Sequence, residues 1–527
     1  MYFHLILALA PISTVYGACS DLAIEDDALV PISTVCGACS DLENDALVLC
    51  ERMSKAYDKS KAQLEIEIEP DDSESGPRGE GGCAQDITAD VCRTIGCICR
   101  DFGNTPDPNS NECILPDGQK LTRAVRKEYR TLTDEERQRF HNAMWEIKRN
   151  GELDKLAKLY KQHAVASGAH EGPGFLPWHR EFLKRVEFAL RRADYRVSLP
   201  FWDSTMDNLL PDPRDSIIWT NDFMGNLSDE VKFGSFAGWT TIENKTLTRS
   251  VGKHGETMSS ADRDEFLASN DIDRVFGLTA AHMNKSCTSY RVSTKEMEYL
   301  SGYVRHFVGG DMEFAKTAAN DPMFYLVHSF VDQTWELWRQ AKQNRIQRET
   351  QYPASRPECF LPYHNYFSGM GRFGCTLLRG IYEGLENFYT DNFYEYQPSP
   401  NCPYCDGSPY LFCHPRANKC ASKIRPGGNC TGLENADACY DSICSNGKCV
   451  KSSAVNKEHL KAMLIYRLSN KQDLFGRCQD MLNGMIQSVA RNNLTDLSAK
   501  IPLINKTCLY PENIMPVFDD FKQLLSN

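Results

Sequence analysis

Two stretches of the chain carry residue types that bind and cycle metals. The first is Gly168-Ala169-His170-Glu171-Gly172-Pro173-Gly174-Phe175-Leu176-Pro177-Trp178-His179-Arg180, with His170 in a Gly/Pro loop and His179 nine residues on. The second is Ala319-Asn320-Asp321-Pro322-Met323-Phe324-Tyr325-Leu326-Val327-His328-Ser329-Phe330-Val331-Asp332. Imidazole suits copper, zinc or iron, so the spacing alone names no metal. No Ser-His-Asp arrangement or phosphate loop offers a competing site.

Helices must position these rings. Proline fits a first turn, so Pro177 predicts a helix start, after which His179, Phe182, Leu183, Val186 and Leu190 share a face. A loop imidazole and a helix imidazole then converge. His328 opens a helix of like pattern, with Val331 and Trp335 on its face and Asp332 one turn on. Upstream, Thr133-Asp134-Glu135-Glu136 is a capping box leading into the stripe Phe140, Ala143, Met144 and Ile147. His141 beside that stripe reads as structural. A second helix runs from Leu153 to His163, with Leu153, Leu156, Leu159 and Tyr160 apolar.

Longer phrases narrow the reading. Leu176-Pro177-Trp178-His179-Arg180-Glu181-Phe182, Leu199-Pro200-Phe201-Trp202-Asp203-Ser204-Thr205, Val308-Gly309-Gly310-Asp311-Met312 and Asp321-Pro322-Met323-Phe324 occur in this order. With them, from about Leu132 to about Gln340, the chain resembles the tyrosinase family of binuclear, type-3 copper proteins. Its flanks are similar to those of secreted nematode and mollusc members. The resemblance implies a mainly α fold, a four-helix-bundle copper domain with disulfide-rich flanking segments. It also implies three histidines on each of two coppers, O2 bound between them, and ortho-hydroxylation of small phenols or oxidation of catechols to quinones.

Carried over residue by residue, the resemblance puts the second and third copper-A ligands on His170 and His179 and the third copper-B ligand on His328. The first copper-A position falls on Tyr160, with His163 three residues later on the same face. His163 either supplies the missing ligand or is a surface histidine near a helix end. At copper B the family reads His-Gly-x-x-His, whereas this chain reads Ser301-Gly302-Tyr303-Val304-Arg305-His306. Ser301 and Arg305 take the ligand positions and His306 is displaced by one. Arg305 opposes a dication, because guanidinium is permanently charged. Asp332 is expected to orient His328 or a neighbouring ring as a hydrogen-bond acceptor. The candidate metal residues are therefore His170, His179, His328, His163 and His306. Copper is the cofactor, two ions in the family and one or none possible here. The readings that follow are a copper oxidoreductase with a degenerate site, an inactive binding or structural protein, and an oxygen carrier of the haemocyanin kind.

The rest of the chain supplies context. A net charge of -12 gives no reason to expect nucleic acid or an anionic membrane as partner. Residues 1–18 read as a secretory signal, with apolar Tyr2 to Ala10 and small Gly17 and Ala18. Residues 11–22 recur at 31–42, and an acidic, Gly/Ser-rich linker closes the segment 19–82. A Cys-containing segment spans 83–118, the copper domain 119–400, a Cys-rich module 401–450 and a helical extension 451–527. The 22 cysteines and the sequons at Asn226, Asn244, Asn284, Asn429, Asn493 and Asn505 fit secretion. The eight cysteines from Cys402 to Cys449 predict a disulfide module whose pairing the sequence leaves open. Cys97-Ile98-Cys99 reads as disulfide-forming rather than metal-binding, for the same reason.

Overall fold

The capping box at Thr133 forms, its hydroxyl accepting the Glu136 N–H at 3.1 Å while the Glu136 carboxylate accepts the Thr133 N–H at 3.0 Å. The computed structural model describes residues 92–451 apart from 109, 111, 165–167, 279–294, 357–358, 360–361 and 371–379. The expected signal, duplicated segment, linker and C-terminal extension lie outside the described residues. So do Cys83, Cys287, Cys375, Cys478, Cys508, His282, Asn284, Asn493 and Asn505.

From the capping box α1 (Asp134–Arg149) runs with Phe140, Ala143, Met144 and Ile147 buried as the stripe requires. Gly151, at φ 80 in the left-handed region, breaks the chain before α2 (Glu152–His163), which buries Leu153, Ala157 and Tyr160. The next helix, α3 (Phe175–Ala193), begins two residues before the expected start at Pro177. Proline is harmless there, because first-turn N–H groups have no intrahelical partner.

The expected single apolar face on α3 needs correction. Every residue from Phe175 to Arg191 is buried, so α3 is the central rod of the domain. Its buried charges are ion-paired, apart from Arg191, which donates to the Tyr195 and Thr122 carbonyls. Arg180 donates to Asp332 and Glu336, both at 2.7 Å, Lys184 lies 3.0 Å from Glu181, and Glu187 accepts from Arg126 at 2.8 Å.

Helix α4 (Met297–Val308) ends at Gly309, φ 67, where a Cβ would lie 2.1 Å from the Ser250 hydroxyl. Helix α5 (Pro322–Lys342) starts six residues before His328, the expected opening. The missed signal is Asp321-Pro322: the aspartate caps by accepting the Met323 N–H at 2.9 Å, and proline takes the first position. His328 therefore sits mid-helix, where a partner element can bury it. Helix α3 packs between α1 and α5, and α4 packs on α5, giving the mainly helical bundle.

Strands are short and paired two by two. In the first pair β1 (Ala124–Arg126) runs parallel to β4 (Tyr394–Tyr396), and in the second β2 (Ser228–Glu230) runs antiparallel to β3 (Thr248–Ser250). The Cys-rich module holds two hairpins, β5 (Leu411–His414) with β6 (Lys419–Ser422), and β7 (Ile443–Ser445) with β8 (Lys448–Val450). Its bridges are Cys402–Cys413, Cys405–Cys420, Cys430–Cys444 and Cys439–Cys449. Upstream, Cys97 pairs with Cys92 and Cys99 with Cys113, in line with the disulfide reading. The segment from Pro211 to Trp219 grips this module: Asp215 accepts from Arg425 at 2.9 Å, and Ile217 donates to Lys423 O at 2.8 Å. Among the described residues no helix is long and apolar enough to cross a membrane.

Candidate metal centre

His179 and His328 meet where α3 crosses α5. Their rings stack with centroids 4.3 Å apart and planes 8° from parallel. On α3, the His179 Nδ1–H donates to the Phe175 carbonyl one turn back, at 2.9 Å. That bond fixes the tautomer and leaves the Nε2 lone pair bare. Among the described residues, the Nε2 of His179 and both nitrogens of His328 are buried without a hydrogen-bond partner. Phe175 and Phe324 pack against the pair, and burial drives both pKa values well below the ordinary range, so both rings are neutral.

His170 reaches the cluster from the loop before α3, its ring 5.5 Å from that of His179. Neither of its nitrogens is bare. The Tyr160 hydroxyl lies 2.8 Å from Nε2, and Glu298 Oε1 lies 3.3 Å from Nδ1. The consistent assignment has Tyr160 O–H donating to Nε2 and Nδ1–H donating to the carboxylate. Burial, then the charge of Arg305, lowers the His170 pKa to about 3. Burial raises Glu298 to about 7, against the Glu171 N–H that it accepts at 2.8 Å.

The loop carrying His170 is held by His364, which sequence reasoning missed. His364 is fully buried and its Nδ1 accepts the Gly174 N–H at 3.2 Å. A Cβ on Gly172 would fall 2.9 Å from three atoms of that ring, and one on Gly174 would fall 2.5 Å from Gly168 O. Hence both glycines are required by close approach. A lone histidine far downstream gives no periodic or spacing signal. Glu298 was missed too, although its place in the first turn of α4, three residues before Ser301, is a usable hint.

The remaining candidates fall as follows. Tyr160 is fully buried, its ring 5.8 Å from those of both His170 and His179. His163, the last residue of α2, is half-buried and packs on Trp178 at 5.7 Å. Among the described residues it is not a ring neighbour of the three imidazoles. Ser301 is buried but its hydroxyl turns back to donate to Glu298 O at 2.8 Å. Arg305 is half-buried, 3.5 Å from Met312 O, and its cation depresses His170, His179 and His328 alike.

Two expectations are corrected. His306 does not join the cluster: it is exposed, influenced by Glu313 and His254, with Gly255 against its Cβ. One residue of displacement on an unbroken helix turns a side chain by about 100°, and α4 is unbroken from 297 to 308. Asp332 does not orient His328. Its carboxylate accepts from Arg180 at 2.7 Å, Tyr394 at 2.8 Å and Tyr396 at 2.7 Å. Burial raises its pKa, but Arg180 and Arg126 outweigh that and hold the group ionised.

Among the described residues, the groups of three ligand atoms lying within 4.8 Å of one another are Cys402, Cys405 and Cys420, and Cys430, Cys439 and Cys449; the nitrogens of His170, His179 and His328 do not form such a group. Each of those sulfurs is already in a disulfide, so the proximity comes from neighbouring bridges.

Residues 127–341 match the family model described as the common central domain of tyrosinase. The chain is 46% identical over 369 residues to the tyrosinase-like protein tyr-3 of Caenorhabditis elegans, covering 69% of this chain and 52% of that protein. It therefore spans about half the length of that relative. Tyrosinase-like protein 2 of Margaritifera margaritifera is 33% identical over 320 residues, covering 57% of this chain and 67% of that protein. Among solved structures, a polyphenol oxidase from Thermothelomyces thermophila aligns over 52% of this chain and 89% of its own, at 16% identity and a TM-score of 0.42.

Proposed function

The chain belongs to the tyrosinase family, which binds dinuclear copper, and from that premise we propose a secreted member that has kept the fold and lost phenol oxidation. In this reading it holds at most one copper and acts as an extracellular binding or structural protein. The observation that carries the proposal is the hydrogen bond from Tyr160 to His170 Nε2 at 2.8 Å. At the first copper-A position a side chain that should share a metal with His170 instead caps the donor atom. Burial raises the Tyr160 pKa, so the phenol stays protonated and a poor ligand.

The copper-B side supports the same reading. His328 is the one imidazole there, Ser301 spends its hydroxyl on its own helix, and Arg305 adds a fixed cation. The residues present do not fit a pair of copper ions. Parallel rings 4.3 Å apart also direct their in-plane lone pairs along separate lines. A single ion between them requires one ring to tilt.

A second reading, a copper enzyme oxidising small phenols or catechols with O2, has one observation in its favour. Among the described residues three buried ring nitrogens of His179 and His328 have no hydrogen-bond partner, at about 1–3 kcal/mol each, and a metal on the two rings would engage two of them. Secretion is supported by the six disulfides formed among the described residues.

The test is to secrete the full chain, load it with copper, count the metal and assay catechol oxidation beside the triple variant Tyr160→His/Ser301→His/Arg305→His. At most one ion and no oxidation in the unmodified chain are expected. Two ions with brisk oxidation would overturn the proposal.

A further inference from the structure

We propose that the mature chain carries N-linked glycans on Asn244 and Asn429 and none on Asn226, although all three stand in Asn-x-Ser/Thr sequons. The inference rests on the secretion reading above. A sequon in a secretory compartment offers its amide nitrogen to a lipid-linked oligosaccharide pyrophosphate. Nδ2 forms a bond to C1 of the first sugar, the C1–O bond to the pyrophosphate breaks, and the leaving group departs with the electron pair. The amide gives up one proton, so one N–H remains of the original two. The product is bulky and must point into water.

Asn226 cannot meet those terms in this fold. Its Nδ2 donates to Ser228 O at 3.1 Å and to Glu230 O at 2.7 Å. Its Oδ1 accepts from the N–H groups of Lys232 at 3.1 Å and Phe233 at 3.1 Å. The amide's donors and acceptors are all engaged, and they close the loop that sets β2 against β3. The preceding residue is as tightly held, since a Cβ on Gly225 would fall 2.2 Å from Phe233 O. A glycan removes one donor and puts a sugar where the two carbonyls lie. A chain modified there does not close this loop.

The other two sequons have the opposite geometry. Asn244 is exposed at φ 55 on the tip of a turn held by backbone bonds, its own N–H to Thr241 O at 3.0 Å and Thr241 N–H to Lys245 O at 2.7 Å. Among the described residues its side chain makes no hydrogen bond. Asn429 is exposed and engages only its oxygen, which accepts from the Thr431 N–H at 3.0 Å and the Thr431 hydroxyl at 2.7 Å. Among the described residues Nδ2 makes no hydrogen bond, and it lies beside the very hydroxyl that defines the sequon.

The experiment secretes the full chain behind its own leader and, in parallel, behind a heterologous one. Enzymatic release of glycans in 18O water then marks each formerly modified asparagine as labelled aspartate in peptide maps. Label at Asn244 and Asn429 with unlabelled Asn226 is expected from either leader. Label at Asn226, or its lack at Asn244 or Asn429, in secreted protein overturns the proposal. Retention of the first chain inside the cell sinks the secretion reading alone, because the second chain still reads the sites. Ser228→Ala deletes the Asn226 sequon while keeping every bond of the asparagine, so it should change neither glycan mass nor yield. A mass drop of one glycan in that variant also overturns the proposal.

Discussion

The hydroxyl of Tyr160 lies 2.8 Å from Nε2 of His170, joining α2 to the loop before α3 at the atom through which that imidazole would bind a metal. The phenol is fully buried and protonated, so it donates. This bond decides which ring nitrogens in the cluster are bare.

Removing that hydroxyl should cost little and free a ligand. Tyr160→Phe keeps the ring and its packing on Phe324 at 4.5 Å, and loses one hydrogen bond worth about 1 kcal/mol. A slightly lower denaturation midpoint with tighter uptake of the first copper is expected in equilibrium dialysis. Unchanged copper affinity would argue that His170 Nε2 takes no part in binding.

Arg305 works against the centre by charge, and that effect is separable from its size. Arg305→Gln removes the cation that depresses His170, His179 and His328. Copper affinity should rise by about fivefold, on the order of 1 kcal/mol for relief of a screened repulsion. High salt should narrow the gap between the two proteins. Equal affinities at low salt would show that the guanidinium points its charge elsewhere.

The contact of Gly172 with His364 predicts a suppressor pair. A Cβ at 2.9 Å from the ring forces Gly172→Ala to lose about 1–3 kcal/mol. Added to His364→Ala, the same change should cost much less, because the ring is gone. Thermal unfolding of the four proteins completes the cycle, and simple additivity would contradict the packing described.

Acid should unfold the domain partly through its buried histidines. His141 sits beside the Tyr129 hydroxyl at 2.6 Å, and burial, then Arg137, lowers its pKa from 6.5 to about 3. The unfolded chain thus binds the extra proton between those limits. Stability from this group is complete above about pH 6.5 and falls as the pH drops toward 3, by roughly 1 kcal/mol per unit. Denaturant titrations of His141→Gln, which keeps an acceptor for Tyr129, should show a shallower acid slope. An identical slope would mean that His141 is protonated in the fold.

The sequence by itself determined what depends on neighbours along the chain. The Thr133 capping box and the stripe of α1 are local, so they were legible as written. The family phrases supplied the register that puts His170, His179 and His328 together, and the departures at Tyr160, Ser301 and Arg305 were visible in the same register. Even the starts of α3 and α5 were within reach, through first-turn proline tolerance and the Asp321 cap. Only the tertiary structure decided the rest. It turned Tyr160 onto His170, claimed Asp332 for Arg180 and two tyrosines, set His364 over Gly172 and chose the four pairings of the Cys-rich module. It also left His306 outside, because a continuous helix sends one extra residue around by about 100°. These outcomes join residues far apart in the chain. Their partners are selected by burial, which penalises any charge or polar group left unpaired, and no local pattern encodes which distant group arrives to satisfy it.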